Sequence, residues 1–189
     1  IEMFKNHLVL DKNFKTEDYF QSSGTTQIQT RSKHYIADFN LYEESIYKSF
    51  EQFIGKPEDY IFLGLLPNYS ENPHSSLIYM VDFLMKKSGK PENGYFLYNH
   101  QELFELLQKL GQENKKVILF GVSFALLDFL DYCHSERSEE SVSIRSEYLT
   151  VIETGGMKGR KEEMTKDELL KTLQKGFGTD KIFSEYSMT

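Results

Sequence analysis

From residue 60 onward, apolar positions fall into short unbroken runs that alternate with longer stretches of helical period. The run at 60–66, Tyr-Ile-Phe-Leu-Gly-Leu-Leu, is short and continuous, so it predicts a strand buried on both faces and stopped by Pro67. Runs at 116–120 and 148–152 read the same way, with shorter strands expected at 95–98 and 182–186. Between them, Leu77, Met80, Val81 and Leu84 mark one face of a helix over 75–87 that Gly89 stops. Leu103, Phe104, Leu106, Leu107 and Leu110 mark another over 101–110, ending at Gly111, and a third is expected over 124–132. Thr165 with Glu168 three residues on has the form of a capping box, opening a helix to about residue 175. Strict alternation of buried strand and helix predicts an α/β fold, a mostly parallel sheet flanked by helices.

Upstream of residue 60 the pattern is sparser. Asn40 with Glu43 is the expected cap of an amphipathic helix through residue 54, and the first 30 residues are less regular. The chain therefore divides into an N-terminal region, 1–59, and an alternating core, 60–189. The core is interrupted at 134–146 by a polar, serine-rich stretch where a connection of a few residues is usual. That stretch is expected to be an inserted, solvated loop, the other reading being a regulatory or partner-binding segment.

Composition narrows the class. With 189 residues, 39% hydrophobic and 27% charged, the chain is long enough and apolar enough to bury a core. A formal net charge of −7 argues against a nucleic-acid surface, but not against a nucleotide, which needs only a few aimed donors. The single cysteine, Cys133, permits no internal disulfide. No run approaches 18 apolar residues and the start at Ile1 has no leader-like pattern. A cytoplasmic protein without a membrane span is expected, with a trimmed N-terminus.

Three segments carry candidate chemistry. In Ser22-Ser23-Gly24-Thr25-Thr26, hydroxyls flank a glycine that lets backbone N–H groups converge, which suits a triphosphate; the same composition also makes an ordinary turn. In Glu153-Thr154-Gly155-Gly156-Met157-Lys158-Gly159-Arg160, glycines follow a strand at the edge where ligands sit in parallel sheets. Lys158 and Arg160 add charged donors there, and a flexible strand-to-helix connection is the alternative. Gly121-Val122-Ser123-Phe124-Ala125 has the look of a hydrolase nucleophile elbow. The one histidine downstream of Ser123 is His134, inside the expected insertion, so Ser123 reads better as a helix cap. His7, His34, His74 and His100 have no metal-ligand spacing, and no metal site built by protein side chains is expected.

Taken together, Ser22–Thr26 and the terminal Ser184-Glu-Tyr-Ser-Met-Thr189 resemble the phosphate loop and the later tyrosine–threonine motif of adenylate-forming enzymes. With Leu65-Leu-Pro-Asn-Tyr69, Ser75-Ser-Leu-Ile-Tyr-Met80, Gly121–Asp128 and Glu153–Arg160, the chain looks like the acyl-protein synthetase (LuxE) family within that superfamily. The similarity runs over nearly the whole chain except 134–146.

The resemblance implies ATP-dependent activation of a carboxylate, a fatty acid foremost, to an acyl adenylate, followed by transfer to a thiol acceptor that can be a partner protein. ATP and Mg²⁺ are the implied cofactors. Ser22, Ser23, Gly24, Thr25 and Thr26 would close over the β- and γ-phosphates, with Thr25 and Thr26 acting in catalysis. Gly155 and Gly156 would lie along the adenine, with Lys158 and Arg160 beside them. Tyr186 would line the base and Thr189 would contact the α-phosphate. His34 falls where the family tends to carry a histidine. The family's loop continues with a second glycine and a lysine, whereas here Gln27 follows Thr26. The superfamily's ribose-binding aspartate, hinge and C-terminal catalytic lysine have no counterpart, so the chain is expected to be a partial core without the C-terminal domain. A non-catalytic or remnant nucleotide-binding module is the alternative, and a serine hydrolase using Ser123 a third reading.

Overall fold

A computed structural model describes residues 7, 9, 13, 18–21, 32–67, 73–135, 146–155 and 164–185. Two short strands come first, β1 (Tyr19–Gln21) and β2 (Lys33–Tyr35), paired antiparallel with Phe20 opposite His34. Helix α1 (Phe39–Phe53) follows, then a 3₁₀ turn at Pro57–Asp59. The core then runs β3 (Ile61–Leu65), α2 (Ser76–Ser88), β4 (Gly94–Tyr95), α3 (His100–Gln112), β5 (Val117–Gly121), α4 (Ser123–Ser135), β6 (Leu149–Glu153), α5 (Lys166–Phe177) and β7 (Ile182–Ser184).

β3 to β7 form one five-stranded sheet in the order β4-β3-β5-β6-β7, and every pairing is parallel. The expected α/β architecture is therefore present. The strands β3, β5 and β6 are buried along their whole length, as unbroken apolar runs require when helices cover both faces.

Side-chain alternation sorts the core into two layers. Ile61, Leu63, Leu65, Val117, Leu119, Leu149 and Val151 face α3, α4 and α5. Phe62, Ile118, Phe120 and Ile152 face α1 and α2, where Ile46, Phe50, Val81 and Leu84 meet them.

Several local expectations are corrected. The cap of α1 is Asp38, whose Oδ1 accepts from the N–H groups of Asn40 and Leu41, so Asn40 already lies inside the helix. β4 is shorter than 95–98 because Asn99 N–H bonds Phe96 O at 3.0 Å, turning the chain at once into the Asn99 cap of α3. α4 continues to Ser135, so the expected insertion begins later than 134; residues 136–145 of it lie outside the described residues. The capping box of α5 is formed as expected, with Thr165 and Glu168 exchanging bonds.

Candidate functional site

The strand order fixes where a ligand would enter. From β3 the chain moves outward to β4, then returns to the other side of β3 and proceeds through β5, β6 and β7. The connections after β3 and β5 therefore lead to helices on opposite faces, α2 and α4. A crevice at the carboxyl ends of two such strands is the usual ligand position in open parallel sheets.

The β1–β2 pair is fastened beside this crevice. Gln21 N–H donates to His74 O at 2.8 Å, and His74 stacks on Tyr19 with ring centroids 4.4 Å apart, just before the Ser75 cap of α2. Lys33 Nζ lies 4.4 Å from the Tyr19 ring centroid. Phe20 is buried among Phe39, Tyr42 and Tyr79. Both strands flanking the hydroxyl-rich segment are thus anchored at the carboxyl side of β3. His34 sits on β2 with its Nε2 3.3 Å from Ser32 Oγ, and burial holds its pKa below the ordinary value.

Two strands away, β6 ends in Glu153 at the same edge. Its carboxylate is fully buried and receives four donors from four segments. Oε1 accepts from Ser123 Oγ at 2.5 Å and Gly155 N–H at 2.6 Å. Oε2 accepts from Lys166 Nζ at 2.5 Å and Ser184 Oγ at 3.2 Å. Burial alone would push this carboxyl up, but the bonds from Lys166, Ser123 and Gly155 outweigh it and hold the pKa below the ordinary carboxylate range. Backbone bonds reinforce the junction: Ser123 N–H to Gly155 O at 2.8 Å, and Glu185 N–H to Glu153 O at 2.8 Å. One side chain ties together the β5–α4 turn, both stems of the glycine-rich connection and the end of β7.

Ser123 is the first residue of α4 and its hydroxyl serves Glu153, so it is not the helix cap expected from the sequence. It is 1% exposed and its proton is committed to a carboxylate, which leaves no oxygen presented to a substrate.

Gly155 takes φ +79°, a left-handed conformation that favours glycine, and among the described residues a Cβ added there would meet nothing within 4 Å. Ser22, Ser23, Gly24, Thr25, Thr26, Gly156, Lys158, Arg160, Tyr186 and Thr189 lie outside the described residues. Among the described residues no group of three histidine, cysteine or acidic side chains is placed to hold a metal ion, and no helix is long and apolar enough to cross a membrane.

The glycine-rich motif that Glu153 opens gives the glutamate itself no role at the level of sequence. The signal was present: it is the one ionisable residue of the strand run 149–153, placed at the carboxyl end next to glycines. Comparison with protein-family models, curated proteins and solved structures returned no match.

Proposed function

We propose that the chain is the nucleotide-binding core of an ATP-dependent acyl-activating enzyme, forming an acyl adenylate from a carboxylate, a fatty acid foremost, for transfer to a thiol acceptor. One observation carries the reading. The strands flanking the hydroxyl-rich loop and the stems of the glycine-rich loop are anchored at the same carboxyl edge, on β3 through His74 and on β6 through Glu153. Two parallel-strand steps of about 4.8 Å separate those strands, a span that a nucleotide bridges. Loops rooted so close can supply donors to one triphosphate.

The chemistry follows from the residue types. A carboxylate oxygen attacks the α-phosphorus in line and pyrophosphate leaves, so the protein's part is positioning and charge stabilisation. Thr25 and Thr26 would hold the departing phosphates and Thr189 the α-phosphate. Gly155, Gly156 and Tyr186 would border the base, and Lys158 and Arg160 would add positive charge. Lys166 already neutralises Glu153, so the edge does not present that carboxylate as bare negative charge to ATP. Mg²⁺ would supply screening of the phosphates, held through those phosphates with only one or two carboxylates. The same reading places the protein in the cytoplasm, where ATP is abundant and Cys133 stays reduced.

Pyrophosphate exchange with ATP and a panel of carboxylates tests it. Replacing Thr25 and Thr26 together by alanine is expected to cut exchange by about 10²–10³, the usual cost of losing transition-state donors, with the urea midpoint unchanged. Exchange that survives the double substitution would remove the phosphate-loop assignment.

A second reading, a nucleotide-binding module without catalysis, is favoured by the mutual satisfaction of Ser123, Glu153, Lys166 and Ser184, which leaves none of these four poised for chemistry. ATP binding without exchange for any carboxylate would select it.

A further inference from the structure

We infer that the groove between α1 and the strands β6 and β7 is a binding site for a small amphiphile, an apolar tail with a protonated amine head received by Glu185. α4 and α5 cover one face of these strands, but on the other face α1 and α2 pack mainly over β3 and β5. What remains is an open groove of about 540 Å³, within the range of small-molecule sites. Its walls are Ile46 and Phe50 of α1, Leu84 of α2, and Phe120, Ile152 and Phe183 of the sheet. At its rim Phe53 is 73% exposed and Phe183 44% exposed, large aromatic surface left in contact with water.

Ser45, Ser49 and Ser184 add hydroxyls to the walls of the groove, and Glu185 is its one charged residue among the described residues. α1 runs along it from Tyr42 to Phe53, about 16 Å at 1.5 Å per residue. At the Tyr42 end stands Glu185, whose backbone N–H is used by Glu153 O but whose carboxylate makes no hydrogen bond or ion pair with a described residue. Among the described residues no lysine, arginine or histidine lines the groove. Partial burial, with the Glu153 charge behind it, raises the pKa of Glu185, and the charge of Glu185 in turn adds to the rise at Tyr42. A carboxylate held partly out of water without a counter-charge is complementary to a cation. A fatty carboxylate in the same place would meet the like charge of Glu185. An ammonium head on an aliphatic tail satisfies both ends of the groove. This inference is independent of the adenylation reading, whose loops it does not use.

Methyl-resolved NMR titration of the intact chain tests it, with decylammonium, decanoate and propylammonium as probes. Decylammonium is expected to shift the methyl signals of Met80, Leu84 and Ile152 saturably. Decanoate carries the opposite charge and propylammonium lacks the tail, so neither should do so at the same concentration; propylammonium also controls for attraction to a chain of net charge −7. Glu185→Gln should weaken decylammonium about tenfold, the loss of one charge-assisted hydrogen bond. Ser49→Trp, at an exposed α1 position on the groove wall, should abolish binding and leave the thermal midpoint in place. The inference is overturned if decanoate binds as tightly, if the amine saturates without moving those methyls, or if Glu185→Gln changes nothing. It is also overturned if sedimentation shows a dimer that Ser49→Trp dissociates, because the groove would then be filled by a second copy of the chain.

Discussion

A carboxylate taken out of water costs several kcal/mol unless protein donors replace the lost hydration, and Glu153 recovers four of them. The donors are unequal. Lys166 is half exposed, so its charge is screened and water can take its place when it is removed. Ser123 Oγ and Gly155 N–H are held by the fold and would be left facing a void. Glu153→Ala is therefore expected to cost about 2–4 kcal/mol, the sum of lost bonds and stranded donors. Lys166→Met should cost only about 1–2 kcal/mol, less than a fully buried pair would. Urea midpoints measure both. Equal losses would mean that the charge of Lys166, and not the ring of fixed donors, holds the carboxylate. Sequence reasoning had Glu153 and Ser123 in separate motifs because nothing local joins residues thirty positions apart; only the parallel pairing of Gly121 with Glu153 does so.

Helix ends are decided by neighbours within a turn, which is why α5 was legible in advance and its packing was not. Its capping box is local: Thr165→Ala should cost about 1 kcal/mol by thermal or urea unfolding. Gly176 is a different case. On helix propensity alone, Gly176→Ala would stabilise α5 by about 1 kcal/mol. A Cβ there, however, would run into the side chain of Leu130 on α4, which is 4% exposed and has little room to retreat. Overpacking of that kind costs about 1–3 kcal/mol, so the substitution is expected to be neutral to destabilising. A clear gain in the unfolding midpoint would show that α4 and α5 yield to each other easily. The same division explains the other boundaries. The residue that caps α1, Asp38, lies two positions before the expected Asn40, because both are good caps and the chain's path from β2 selects between them. β4 ends at Tyr95 because a bond from Asn99 N–H to Phe96 O closes a turn that periodicity does not encode.

At the scale of the whole molecule, alternation in the sequence foretold a parallel sheet with helices on both faces, but not the strand order. Unbroken apolar runs carry no record of which run lies beside which. That order places the stems of both candidate loops at one edge, and of the residues assigned to ATP only Gly155 lies within the described part of that edge. The order also sets Glu153 and Glu185 at adjacent strand ends with opposite consequences for stability. Glu153 has a depressed folded pKa, so its contribution is present above the ordinary carboxylate range and is lost as pH falls through its lower folded value. Glu185 has a raised folded pKa, so its ionised form opposes folding at neutral pH, and that cost is relieved as pH falls through the raised value. Glu185→Gln should therefore unfold at a higher urea concentration than the parent chain at pH 7.5, with the gap narrowing as pH falls through the raised value and closing below the ordinary carboxylate range, where Glu185 is protonated in both states. Glu153→Gln should lie below the parent at pH 7.5 and approach it only under more acid conditions. If Glu185→Gln gives no advantage at pH 7.5, neither burial nor the charge of Glu153 burdens the ionised Glu185, and the electrostatic argument for a cationic ligand in the groove loses its footing as well.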